Sequence, residues 1–129
     1  MAFDFALDSP RLYVADTGNR RVQVLGARDG TFVAAWPAVG TPRGIAVGPD
    51  SRVYVSDVAD DVVRVLDPDG RLIDRWGGAG DAGGTWGALD DPLGLAVGPD
   101  GLLYVADSGN QRALWFDAGG NVVGTLTLD

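Results

Sequence analysis

The chain contains no cysteine, no histidine, no lysine and no glutamate; its 18 acidic residues are all aspartate and its 10 basic residues all arginine. Without cysteine there is no disulfide framework and no thiolate metal site. Without histidine the commonest general base and the commonest zinc ligand are both missing, and Ser–His and Cys–His nucleophile pairs are excluded. Long apolar runs are missing too. No segment approaches the roughly 18 consecutive apolar residues of a membrane-spanning helix, and MAFDFALDSP, at residues 1–10, lacks the positive start and apolar middle of an export signal. On that reading the chain is cytoplasmic as it stands, with an extracytoplasmic setting open if it was cut from a longer one. The formal net charge of −8 opposes a phosphate backbone, whose binding draws on Lys and Arg. Neither nucleic acid nor membrane is an expected partner.

What is present argues for one β-rich domain. With 129 residues, 46% of them apolar, the chain can bury a core and is not expected to be disordered. Aspartate and glycine favour turns where glutamate and lysine would favour helices. The stretch GLLYVADSGNQR at 101–112 repeats RLYVADTGNRR at 11–21, and RVYVSDVADDVVR at 52–64 is a degraded third copy. Their tyrosines, Tyr13, Tyr54 and Tyr104, stand 41 and 50 residues apart. Each is preceded by an apolar run (FAL at 5–7, GIAV at 44–47, GLAV at 94–97). Two more runs follow it, separated by a turn such as ARDG, DPDG or DAGG. Asp-Gly and Gly-Gly sit where hairpins need positive φ, so each copy is predicted to hold four antiparallel strands. Four strands per copy of about 40 residues is the pattern of a β-propeller blade. Blades are assigned to about 3–36, 43–76 and 93–126, with a long connection at 77–92. The inner strands are apolar at consecutive positions, as in a sheet buried on both faces.

GIAVGPDSRVYVSD and GLAVGPDGLLYVADSGNQR resemble the NHL repeat, with its Gly-hydrophobic-Ala-Val, Asp-Gly, Tyr-Val-Ala-Asp, Ser/Thr-Gly-Asn and Arg. The likeness runs from about residue 3 to 126 and is weaker in the second copy. It implies a propeller of usually six blades that acts mainly as an interaction module, and this chain holds three. Three blades cannot close a ring, and a terminal blade without a neighbour exposes a broad apolar face. A homodimer, blade three of each copy against blade one of the other, would close six blades about a twofold axis. The runner-up is a piece of a longer protein that pairs for the same physical reason. Each blade is expected to be complete in sequence.

Asp16 and Asp107 are read as hairpin devices. Their carboxylates would accept N–H groups of the next residues, Gly18 or Gly109 would supply backbone freedom, and Arg21 and Arg112 would fold back to pair with them. The second copy departs from this. Asp57 is followed by Asp60 and Asp61, and Val62 stands where the arginine would be, so Asp57 is expected to lack its cation. The candidate ligand face therefore comprises Asp57, Asp60 and Asp61, the loop residues Trp86, Asp90 and Asp91, and Arg43 at the start of a channel-lining strand. The alternatives are a solvated acidic loop and a Trp86 that simply packs between blades. Trp36 and Trp76 are expected to pack between blades as well, and Trp115 to lie in a third strand. No cofactor and no metal is assigned. The function expected is a non-catalytic, self-assembling half-propeller with an acidic face for a protein, peptide or small ligand. Alternatives are a pure assembly scaffold and a calcium- or magnesium-dependent hydrolase or lyase, since aspartate and asparagine oxygens suit those ions.

Overall fold

A computed structural model describes residues 1–5, 9–37, 40–77 and 88–127. Its strands form three four-stranded antiparallel sheets, each ordered in space as in sequence. The first blade comprises β1 (Ala2–Asp4), β2 (Arg11–Asp16), β3 (Arg21–Gly26) and β4 (Phe32–Trp36). The second comprises β5 (Pro42–Val47), β6 (Val53–Asp57), β7 (Val62–Leu66) and β8 (Leu72–Gly77). The third comprises β9 (Pro92–Val97), β10 (Leu103–Asp107), β11 (Arg112–Phe116) and β12 (Val122–Thr127). The hairpins joining third and fourth strands turn on Gly30, Gly70 and Gly120, at φ of 71°, 86° and 85°. A side chain bearing a Cβ is strained there. Among the described residues no helix is long and apolar enough to cross a membrane.

The first strand lies upstream of the apolar run FAL at 5–7 on which it was expected. Ala2 faces Tyr13 as Ala46 faces Tyr54 and Ala96 faces Tyr104. Blade 1 thus reaches its second strand through a connection three residues longer than the others, which hides the match in a sequence comparison.

Two cores lie at the seams between blades. Tyr13, Val22, Val24 and Trp36 of blade 1 meet Ile45, Val53, Val55 and Leu66 of blade 2. Tyr54, Val63, Val65 and Trp76 of blade 2 meet Leu103, Val105, Leu114 and Phe116 of blade 3, with Leu89 beside them. Among the described residues, only the middle blade is covered on both sides. All five residues of β6 are buried in consequence, whereas β2 and β10 keep partly open positions. The innermost strands follow one another, β1 against β5 and β5 against β9. At Gly44 the approach is so close that a Cβ would run into the Leu93 carbonyl oxygen. Ser56, fully buried, stitches the same place: its Oγ donates to Leu93 O and accepts from Gly44 N, each at 2.7 Å.

Candidate functional site

The second-strand aspartates share a position at the end of β2, β6 and β10 but solve different problems. Asp16 and Asp107 each precede a single 3-10 turn and make no capping hydrogen bond to its backbone. Their oxygens instead take the side-chain amides of Asn19 and Asn110 and the Nε of Arg21 and Arg112, both arginine contacts at 2.8 Å. Arg21, with Asn19 next in effect, holds the Asp16 carboxyl below the usual carboxylate range. The left-handed residue in each turn is not the expected Gly18 or Gly109 but Arg20 (φ 54°) and Gln111 (φ 51°), with Asp61 (φ 56°) in blade 2. Gly109 answers a different demand, since a Cβ there would collide with the Asp90 carboxyl group.

Asp57 corrects the sequence reading. It is fully buried, and it does not lack a cation: Arg64, on β7, donates Nη2 at 2.9 Å and Nε at 3.1 Å to its Oδ2. Its Oδ1 takes the backbone N–H groups of Thr41 and Ala59, both at 2.9 Å. The arginine has moved two positions along the third strand. Because alternate residues share a face, it still points at the same carboxylate. Gln23 and Leu114 stand at the equivalent place in the other blades. The available signal was an arginine interrupting the apolar run VVRVL.

Asp57 and Asp107 also anchor the chain entering their own blades. Asp57 holds Thr41, just before β5, and Asp107 holds Asp90, just before β9, through an N–H at 2.7 Å. These carboxylates are framework rather than an open acidic pair. Asp60, exposed, also pairs with Arg64 at 2.9 Å and stands 3.8 Å from Arg75. Asp61 accepts the backbone N–H of Asp91 at 2.7 Å, tying the blade 2 turn to the connection into blade 3. Asp60, Asp61, Asp90 and Asp91 therefore gather at one edge of the turn face, with Asp57 sealed beneath. Arg43, exposed near the start of β5, makes no hydrogen bond or ion pair to a described residue. Trp86 lies outside the described residues, as does most of its loop. Among the described residues no group of three or more acidic side chains could hold a metal ion.

The tryptophans divide by blade. Trp36 and Trp76 each pack tilted against their own tyrosine and reach the hairpin glycine of the next blade, Gly70 and Gly120. Trp115 packs tilted against Tyr104 with centroids 5.4 Å apart but lies over Gly124 of its own sheet. Beside it, on the open side of blade 3, an apolar hollow of about 330 Å³ is lined by Gly94, Ala96, Tyr104, Ala106 and Ala113 among others.

Comparison with known proteins places this architecture. Residues 89–116 match the NHL repeat family model. No curated protein matches the chain by sequence. Among solved structures, a streptogramin B lyase superposes with a TM-score of 0.75 at 16% identity, over 99% of this chain and 40% of its own. A hydrazine synthase from Kuenenia stuttgartiensis gives 0.74 at 24% identity, over 92% of this chain and 33% of its own. A catalytically inactive virginiamycin B lyase from Staphylococcus aureus, determined with quinupristin, gives 0.75 at 11%, over 99% and 41%. At these identities the likeness is one of fold. The chain spans a third to two fifths of the length of these proteins, and its three sheets fit a half-propeller of three blades with an NHL repeat in the third.

Proposed function

We propose that the chain is a non-catalytic half-propeller that closes into a six-bladed ring with a second copy and offers its turn face to a protein or peptide. One observation carries the reading. Positions that are buried at the internal seams recur, uncovered, on the outer faces of blades 1 and 3. Ile45 is 7% exposed, while its counterpart Met1 is 75% exposed and joined by the stacked, exposed pair Phe3 and Phe5. Ser56 and Ala46 are buried, while their counterparts Ala106 and Ala96 are open. Gly94 repeats Gly44, and the nearest atom to a Cβ there is the Ala106 methyl at 3.9 Å. The glycine that makes room for a neighbouring inner strand is kept where no neighbour stands. Blade 3 of each copy against blade 1 of the other would fill both faces through two equivalent interfaces.

The solution mass tests this, with twice the 13.4 kDa chain mass expected at micromolar concentration. Ala106→Arg, at an exposed position, is expected to leave the fold intact and return the mass to that of one chain. A wild-type protein that stays folded and monomeric would defeat the reading. The pairing of Asp57 and Asp60 with Arg64 favours a second reading, an assembly scaffold without ligand. The two part on whether a basic peptide titrates onto Asp61 and Asp91 of the closed ring.

A further inference from the structure

Each internal seam carries two latches at its outer rim. The first is an arginine at or just before the second strand: Arg11 donates Nη1 to Pro68 O at 2.6 Å, and Arg52 donates Nη1 to Ala118 O at 3.1 Å. Both acceptors lie in the third-to-fourth hairpin of the following blade. The second latch is the fourth-strand tryptophan. Trp36 lies against Gly70 and Trp76 against Gly120, in those same hairpins. The repeat thus joins blade to blade twice in the same way.

Blade 3 has neither latch. Leu102 occupies the position of Arg11 and Arg52, and its neighbours preserve the register: Leu102 N bonds to Asp100 Oδ1 as Arg52 N bonds to Asp50 Oδ1. Leu126 occupies the position of Trp36 and Trp76, facing Ala113 where those face Val22 and Val63, and it is 59% exposed. The indole has been transferred to Trp115, where Val24 and Val65 stand in the other blades, and it covers its own Gly124. The receiving side is altered as well. The blade 1 hairpin is one residue longer between Leu25 and Phe32 than its counterparts between Leu66 and Leu72 or Phe116 and Val122. Its glycine, Gly30, stands open among the described residues, because no blade of the same chain precedes blade 1 to bring a tryptophan to it. Leu102 removes one rim contact of blade 3, the Leu126–Trp115 exchange removes the other, and the blade 1 hairpin differs in length from the hairpins that receive these contacts at the internal seams.

We propose that the seam between blade 3 of one copy and blade 1 of a second copy is an unlatched version of the internal seams, closed by apolar contact near the axis and open at the rim. The ring therefore parts and re-forms there, with occupancy set by chain concentration. The inference rests on the self-assembly reading above and specifies the joint it would use. It makes the second copy, rather than a foreign protein, the occupant of the blade 3 face, because that face repeats the tyrosine and small-residue positions that blades 1 and 2 present to the next blade of this same chain, and the inner-strand glycine of blade 2.

The test is to return the latches. Leu102→Arg restores the first, and Trp115→Val with Leu126→Trp restores the second in the arrangement of blades 1 and 2. Sedimentation equilibrium over nanomolar to high-micromolar chain concentration reads the dissociation constant, with circular dichroism to confirm folding. Wild type is expected to exchange between one and two chains within that range. Each substitution adds its latch to both seams of the ring and is expected to lower the dissociation constant by roughly ten- to hundredfold, the scale of two added rim hydrogen bonds or aromatic anchors. A wild-type dimer whose constant is unmoved by Leu102→Arg, a single change at the surface, overturns the unlatched seam and leaves the dimer standing. Wild type and both variants monomeric at every concentration would remove the self-assembly reading itself.

Discussion

At the residue scale, the three copies of one aspartate show how little a shared letter fixes. Asp16 stands partly in water and is held by side chains of its own turn. Asp57 is sealed, with two backbone donors on one oxygen and two guanidinium donors of Arg64 on the other. Removing the Asp57 carboxylate takes the acceptor from Thr41, Ala59 and Arg64 at once and leaves Arg64 only the exposed Asp60, a loss of about 1–3 kcal/mol or more. Asp57→Ala is therefore expected to lower the denaturant midpoint sharply, whereas Asp16→Ala moves it far less; equal shifts in urea titrations would refute the distinction. The tyrosine and aspartate of each unit were legible from the repeat alone. The partner of Asp57 was not, because an arginine seven residues on is linked to it only by the alternation of a strand whose pairing has to be known first.

At the scale of elements, the inner strands decide how blades join. Gly44 and Gly94 read identically, each opening the Gly-hydrophobic-Ala-Val run. Their surroundings differ, a Cβ at one running into a backbone carbonyl and a Cβ at the other meeting only the Ala106 methyl at 3.9 Å. Gly44→Ala must push β9 away from β5, and overpacking of this kind costs typically about 1–3 kcal/mol. Gly94→Ala is expected to leave the unfolding of the single chain unchanged and to weaken association. Thermal melting of both variants, with light scattering on the second, checks the pair; a Gly44→Ala protein melting with wild type would show that the seam is looser than described. The strand count and the hairpin turns could be read from spacing and turn residues. The start of β1 could not, since the three-residue insertion before Tyr13 moves it off the repeat, and only pairing with β2 locates it.

For the whole molecule, charge and burial set the range of pH over which it stands. Donors hold Asp16, Asp29, Asp100 and Asp117 below the usual carboxylate range: Arg21 for the first, and backbone N–H groups of Thr31, Leu102 and Asn121 for the others. A carboxyl whose value is lowered by folding contributes stability that is complete above its unfolded value, about 4, and is lost as pH falls through the folded one. Burial raises the Tyr54 phenol, so its contribution is complete below about 10 and is lost as pH rises through its folded value. The melting temperature is expected to hold between these limits and to fall outside both. The net charge of −8 shrinks as aspartates protonate, which relieves repulsion and delays the acid decline until the paired carboxylates titrate. A melting temperature that drops steadily from pH 7 to pH 5 would contradict this assignment.

Sequence by itself determined the repeat, its four strands, the hairpin glycines and the exclusion of cysteine and histidine chemistry, because those follow from local backbone preference and from residue types that are present or absent. Tertiary structure alone decided that Asp57 is neutralised, that the blade 3 tryptophan covers its own sheet, and that the rim latches stop at blade 3. Each of these depends on which side chains from separate strands share a face, and the chain acquires those faces only when the blades stack.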